Sequence, residues 1–134
     1  MNNKFSNQIN KYWKRLNKEK LNMCPSLSFF RILSQNKIKI SNKKVLDIGF
    51  GEGQNLIECK KRGANVFGLE LRQKKIKDIV TNYRISKKKL FQCDLNKNFP
   101  LINHKFKLIF SLDTINYITF ENQLKLFDNI YLLY

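Results

Sequence analysis

A short apolar strand that runs directly into three glycines constrains this chain more than any other feature. Residues 45–48 read Val-Leu-Asp-Ile, and the glycines follow at alternate positions before a helical pattern begins: Gly49, Gly51 and Gly53. Glycine is needed where the backbone takes a positive φ or where a ligand must approach the main chain. The first N–H groups of the helix then face the loop, at the carboxyl end of the strand, where open α/β sheets bind their ligands.

The glycine spacing separates two kinds of nucleotide-binding loop. A dinucleotide loop follows G-x-G-x-x-G, whereas here the third glycine comes one place early and Gln54 stands in its position. Asp47 also lies two residues before Gly49, where dinucleotide loops usually lack an acid. The string from Asp47 to Gly53 instead resembles motif I of class I S-adenosylmethionine-dependent methyltransferases. A nicotinamide enzyme, which the spacing disfavours, and a glycine-rich turn without a ligand are the alternatives.

Length and composition indicate one cytoplasmic domain. The 134 residues, 43% of them hydrophobic, are enough for a single core. No run of about 18 apolar residues could span a membrane, and residues 1–7 lack the apolar segment of a secretory signal. Cys24, Cys59 and Cys93 are too few and too dispersed for a disulfide framework or a zinc site, and suit a reducing compartment. His104 is the single histidine, which argues against a His-based metal centre.

The formal net charge of +16 has two interpretations. It could mark an anionic partner, so that the chain would be a non-enzymatic, nucleic-acid-associated binding module on the same fold. It could also reflect a general bias toward lysine on solvated helix faces. We favour the second, because the lysines are spread over every predicted element and greatly outnumber arginine, the better phosphate-binding fork.

Two helices precede the first strand and form a predicted N-terminal helical cap over residues 1–40. Residues 7–21 show an amphipathic pattern, whose aromatic residues could pack on the domain or form a lid over the cofactor. Pro25 opens a shorter helix from Ser26 to Leu33, with Leu27, Phe29 or Phe30, and Leu33 predicted to be buried. The rest, residues 41–134, is the predicted front part of a methyltransferase domain.

A βαβ unit surrounds the glycine loop. The helix after Gly53 ends at cations and Gly63, the usual C-terminal signals. A second strand over residues 64–70 follows and should lie parallel to the first. Glu70 ends this strand, roughly 20 residues past the loop, where an acid can accept hydrogen bonds from both ribose hydroxyls.

The pattern continues with a helix over 72–83, a strand over 90–94 that ends in Asp94, and a fourth strand over 106–112. In the methyltransferase family an acid at the place of Asp94 commonly accepts the adenine amino group, and the loop after the fourth strand lies beside the methionine part and the substrate. The resemblance thus implies S-adenosylmethionine as cofactor and the following binding residues: Asp47, Gly49, Gly51, Gly53, Glu70, Leu71, Asp94, Leu95 and Ser111.

The acceptor side of the site is less defined. A general base is needed only for acceptors such as a hydroxyl, and Asp113 and Tyr117 are the candidates within reach of the fourth strand's loop. Tyr117 could equally pack in the core. His104 should lie at the opposite end of the sheet.

The predicted architecture is α/β, a three-layer Rossmann-like parallel sheet in the order 3-2-1-4. A class I methyltransferase has seven strands, so the resemblance implies an incomplete sheet. A final helix over 121–134 should bury Leu124, Phe127, Ile130, Tyr131 and Leu133. We expect a fragment or truncated gene product that carries the cofactor half of the site. The fourth strand should then have an unpaired apolar edge that is prone to aggregation.

Overall fold

The computed structural model describes Asn7, Gln8, Lys11 and residues 24–134. Within them, four parallel strands form one sheet in the order β3-β2-β1-β4. These strands are β1 (Lys44–Ile48), β2 (Asn65–Glu70), β3 (Leu90–Gln92) and β4 (Leu108–Phe110). The helices are α1 (Leu27–Gln35), α2 (Gln54–Lys61), α3 (Gln73–Tyr83) and α4 (Phe120–Leu133), with 3₁₀ turns at Lys87–Lys89 and Ile115–Tyr117. The predicted α/β class and strand order are confirmed.

The centre of the sheet is β1, because its apolar residues are suited to burial on both faces. Val45 pairs with Val66 of β2 on one side and Leu108 of β4 on the other. Asp47 stands opposite Gly68 in the same register. Because the four strands are parallel, their carboxyl ends all lie at the same end of the sheet, where the glycine loop begins.

Apolar side chains fill both faces of the sheet and make three layers. One cluster joins Val45 and Val66 to α1, α2 and α3. The other joins Leu46 and Ile48 to α4 and to the segment before β4. The alternation of side chains along β1 divides the two clusters.

The short N-terminal helix is confirmed as α1, although its buried face differs from the predicted one. Ser26 is the N-cap and its hydroxyl accepts the N–H of Phe29 at 3.3 Å. Phe29, Phe30 and Leu33 are buried, but Leu27 is 80% exposed. Leu27 is the first residue of the helix, where the chain has only begun to pack on the core. The predicted helix over residues 7–21 lies outside the described part of the chain, apart from Asn7, Gln8 and Lys11.

The final helix forms, but the predicted apolar face is wrong at three positions. The buried side chains of α4 are Leu126 and Leu133, with Ile130 partly buried beside them. Leu124, Phe127 and Tyr131 are exposed. Apolar residues surround most of this helix, so that their spacing alone does not select the face that contacts the sheet.

Three hydrogen bonds cap the end of α4. The Lys105 ammonium donates to the carbonyl oxygens of Leu132 and Tyr134 at 2.8 and 3.1 Å. The N–H of Phe106 donates to the Leu133 carbonyl at 2.8 Å. Cations are favourable beside the last carbonyls of a helix. The segment before β4 thus holds α4 against the sheet.

Strands β3 and β4 are shorter than predicted, since regular pairing covers three residues of each. β4 pairs with β1 on one side only, which makes it an edge strand of the described sheet. Exposed apolar side chains of α4 lie near this edge. Among the described residues, no helix is long and apolar enough to cross a bilayer.

Candidate functional site

The glycine loop joins β1 to α2 and is held on the end of β2. The N–H groups of Gly49 and Phe50 both donate to the Leu69 carbonyl, at 2.9 and 3.1 Å. The ring of Phe50 is buried and packs so closely on Gly68 that a Cβ there would lie 2.5 Å from the ring. Backbone hydrogen bonds and the Phe50 ring thus both join the loop to β2.

The three loop glycines serve different neighbours. All have positive φ, +75°, +58° and +82° in chain order, which favours glycine at each. A Cβ on Gly49 would clash with the Thr114 side chain, and one on Gly53 would clash with Ile79 of α3. A Cβ on Gly51 would meet nothing closer than Arg72 at 3.8 Å. Gly51 is thus the loop glycine whose face is open to a ligand.

Glu70 lies across from this open position. It is only 6% exposed, and its Oε2 accepts the Gly51 N–H at 2.8 Å. Its Oε1 accepts both the backbone N–H and the Nε–H of Arg72, each at 3.0 Å. The structure therefore places the predicted ribose acceptor directly against the glycine loop.

Asp47 is buried within the sheet, below the loop, with 3% of its surface exposed. Burial raises its pKa well above the usual value, and the nearby charge of Glu70 raises it further. Both effects disfavour the ionised form. Two acids thus share the floor of the site.

Asp94 stands at the end of β3, at the same edge of the sheet, and is about one-third exposed. Its Oδ1 accepts the Asn96 N–H at 3.0 Å, and its Oδ2 lies 3.6 Å from the Lys97 ammonium. The amide of Asn96 in turn donates to the Tyr117 carbonyl at 2.9 Å, which ties this loop to the one after β4. Leu95 is partly buried against the core.

The loop after β4 is bonded to the glycine loop. The hydroxyl of Ser111 donates to the Ile48 carbonyl at 3.0 Å, and that of Thr114 to the Gly49 carbonyl at 3.2 Å. Asp113 between them is exposed and has a φ of +61°, a conformation that few non-glycine residues adopt.

The remaining predicted residues divide between the two edges of the sheet. Leu71 follows β2 and is 46% exposed beside the site. Tyr117 is half-buried in the 3₁₀ turn after β4. His104 lies at the opposite edge, where its Nδ1 is 3.3 Å from the ammonium of Lys44 at the start of β1. The predicted distance of His104 from the site is confirmed.

The sequence interpretation missed Arg72, Glu52 and Thr114. Arg72 stands only two residues after Glu70, so a local turn could have suggested their contact. Glu52 pairs with Arg72 and Lys75 of α3, which no short motif indicates. Thr114 meets a loop 65 residues earlier, and only the folded sheet brings these two segments together.

Comparison with known proteins identifies the family. A model of the family described as "Methyltransferase domain" matches residues 45–133, which include β1 from Val45 onward, the glycine loop and all of α4. The chain belongs to the methyltransferase-domain family. Phosphoethanolamine N-methyltransferase of Plasmodium falciparum (isolate 3D7) is 35% identical over 106 residues, which are 75% of this chain and 38% of that protein.

Solved methyltransferase structures share the fold. An S-adenosylmethionine-dependent methyltransferase from Clostridium acetobutylicum ATCC 824 aligns with a TM-score of 0.64 and 20% identity, over 93% of this chain and 51% of its own. Magnesium protoporphyrin IX methyltransferase from Synechocystis PCC 6803, with bound SAM, aligns with a TM-score of 0.60 and 20% identity, over 79% and 51%. This methyltransferase domain thus spans 38% of the curated relative and about half of these structures.

Proposed function

We propose that this chain binds S-adenosylmethionine at the glycine loop after β1 and takes part in methyl transfer to an acceptor still to be identified. The observation that carries the proposal is the open face of Gly51, set directly against the carboxylate of Glu70. A Cβ would partly fill this space, whereas the other two loop glycines are packed against protein. The bound SAM of the Synechocystis relative supports the choice of cofactor.

The residues present fit an adenosine-type ligand. Of the four lone-pair sites on the Glu70 carboxylate, Gly51 and Arg72 occupy three, and the remaining one, on Oε2, can accept a hydrogen bond from a ribose hydroxyl. Asp94 is exposed enough to accept an amino group, and Leu71 offers apolar surface for a ring. The other predicted binding residues would support the same site, most of them by positioning neighbouring residues and not by offering a free polar group to the ligand: Asp47, Gly49, Gly53, Leu95 and Ser111.

The cofactor, when bound, supplies an electrophilic methyl group, so the chemistry resides in the ligand and the protein provides binding and orientation. Alignment of an acceptor atom with that carbon can contribute several kcal/mol to catalysis. The loop after β4 is the part of the chain that would face the acceptor. Its exposed Asp113 is the candidate general base for a hydroxyl acceptor, with Tyr117 as a candidate contact.

Titration calorimetry of the full chain tests the proposal. S-Adenosylmethionine and its demethylated product S-adenosylhomocysteine should bind with one-to-one stoichiometry, whereas NAD should not compete with them. Binding of NAD with similar or higher affinity would show that the loop serves a dinucleotide. Absence of heat and of thermal stabilisation with all three ligands would refute cofactor binding altogether.

The basic charge motivates a second candidate, an association with nucleic acid. The acids near the site contrast with cations that concentrate at the amino edge of the sheet and at the ends of α2 and α3: Lys43, Lys44, Lys60, Lys61, Arg62, Arg84, Lys87, Lys88, Lys89 and Lys107. An RNA bound there would leave the cofactor site open. Steep salt dependence of RNA binding, without methyl transfer in any substrate pool, would favour this candidate.

The cytoplasmic location stays a prediction.

A further inference from the structure

Arg72 joins the two sides of the proposed cofactor site. It is the residue before α3 and lies two positions after Glu70. Its Nε–H and its backbone N–H both donate to Glu70 Oε1 at 3.0 Å. Its Nη1 lies 3.9 Å from Oε1 of Glu52 in the glycine loop. A single guanidinium thus contacts an acid on each side of the site.

Glu52, the acid on the glycine-loop side, also forms an ion pair with α3. The ammonium of Lys75 lies 2.5 Å from the Glu52 carboxylate, and both side chains are largely shielded. Nη2 of Arg72 lies 3.8 Å from the place that a Cβ on Gly51 would occupy. The guanidinium therefore borders the open face of the loop without filling it.

The orientation of Glu70 depends on these donors. The Gly51 N–H holds Oε2 while Arg72 holds Oε1, so the carboxylate plane is fixed before a ligand arrives. Glu70 is 6% exposed, so these protein donors take the place of water around its carboxylate. Charge-assisted hydrogen bonds, such as the one from the Arg72 guanidinium, are about twice as strong as neutral ones.

Lysine is not equivalent to arginine at this position. The planar guanidinium presents several N–H donors in a fixed fork and can contact Glu70 and Glu52 together. An ammonium is a single point of charge on a flexible stem, and would serve one acid at a time. The position therefore depends on geometry as well as on charge.

We propose that Arg72 is a positioning residue for the cofactor's ribose: it presets the Glu70 carboxylate and fastens the glycine loop to α3. The inference rests on the proposed function, because it assigns Arg72 a role in the same site. Arg72 acts through Glu70 and need not contact the cofactor itself.

The test compares two ligands across matched variants of the full chain. Calorimetry measures the dissociation constants of S-adenosylhomocysteine and of its 2′-deoxyribose analogue, which lacks one hydroxyl donor. The variants are Arg72→Ala, Arg72→Lys, Glu70→Gln and the double variant Arg72→Ala/Glu70→Gln. Lys74→Ala is the control, since Lys74 is an exposed cation in α3, the helix that Arg72 precedes. Thermal unfolding of each variant is measured in parallel.

For S-adenosylhomocysteine, Arg72→Ala should weaken binding about tenfold, as expected for loss of a charge-assisted hydrogen bond. Arg72→Lys should recover only part of the loss, and Lys74→Ala should bind like wild type. The decisive readout is the preference for the ribose ligand over its deoxy analogue. It should shrink in both Arg72→Ala and Glu70→Gln, and the double variant should lose no more of it than Glu70→Gln alone.

Each contrary result has a distinct meaning. A wild-type chain that binds neither ligand refutes the proposed function and the inference with it. If wild type binds but Arg72→Ala keeps its affinity, or loses both ligands equally, Arg72 does not position the ribose acceptor. Tighter binding by Arg72→Ala would show that the guanidinium obstructs the site. If Arg72→Ala does not fold, Arg72→Lys is the remaining test. A preference for the ribose ligand over its deoxy analogue equal to that of wild type would then show that the guanidinium is not required.

Discussion

Gly51→Ala should weaken cofactor binding at a moderate cost in stability. The residue has a φ of +58°, where a left-handed alanine costs about 1–2 kcal/mol. The new methyl group would meet no protein atom closer than 3.8 Å, so strain is the main effect on the free energy of unfolding. It would, however, occupy the face offered to the ligand. We expect at least a tenfold loss of affinity, which corresponds to about 1.4 kcal/mol.

Gly63→Ala provides the matched control. Gly63 also has a positive φ, +84°, but lies after α2 at the other end of that helix, where a Cβ would come within 2.9 Å of the Ser41 hydroxyl. Its stability loss should equal or exceed that of Gly51→Ala, because the same strain is joined by a close contact. Its affinity for S-adenosylhomocysteine should be unchanged.

Urea unfolding and calorimetry on both variants decide the outcome. Equal affinity of Gly51→Ala and wild type would refute the assignment of the open face, and a parallel loss in Gly63→Ala would attribute the effect to stability. Valine at residue 51 is a poorer probe, because a β-branched residue at this φ adds strain of its own.

Three further outcomes follow from the acids and thiols. Glu70→Ala should weaken S-adenosylhomocysteine binding by roughly ten- to a hundredfold in calorimetry. Glu70→Gln should weaken it by less, since glutamine keeps one acceptor oxygen. Wild-type affinity in both variants would mean that Glu70 has a structural role only. Asp47→Asn should raise the free energy of unfolding at neutral pH, because burial raises the pKa of Asp47 and makes its ionised form costly in the folded state. Stability of wild type should fall relative to the variant as pH rises from about 4, the unfolded value, toward the raised folded pKa; a gain that does not change with pH in urea unfolding would contradict this. Burial of Cys59 and partial burial of Cys93 raise the pKa of both thiols to about 12. Iodoacetamide at pH 8 should therefore modify exposed Cys24 and spare the other two. Rapid labelling of either one in the folded protein, detected by peptide mass spectrometry, would contradict the raised pKa.

Local patterns were sufficient for the order of elements and for the chain segments at the site. The strand before Gly49, the helix after Gly53 and the acid at the end of β2 each have a signature within a few residues, because strand, turn and helix preferences act over that distance. The parallel βαβ rule then brings Gly51 and Glu70 to the same edge of the sheet. The 2.8 Å hydrogen bond between them agrees with that expectation.

Tertiary packing decided which face of α4 is buried and what each loop glycine contacts, because the local sequence pattern is compatible with several answers. The apolar surface of α4 extends around the helix, so only contact with the sheet selects Leu126 and Leu133 over Leu124 and Phe127. The distinct roles of the three loop glycines likewise depend on what packs above each one. Thr114 closes over Gly49 from 65 residues away, a separation that no periodicity spans.

By itself, the sequence determined that a glycine loop would follow a buried strand and that an acid would end the next strand, because backbone φ requirements and side-chain alternation are local properties. Only the folded chain decided that a Cβ on Gly51 would meet no atom closer than 3.8 Å while one on Gly49 or Gly53 would clash, and that Arg72 reaches both Glu70 and Glu52. Those outcomes depend on distances between side chains of different elements. Such distances are set when α3 and the β4 loop pack around the end of the sheet.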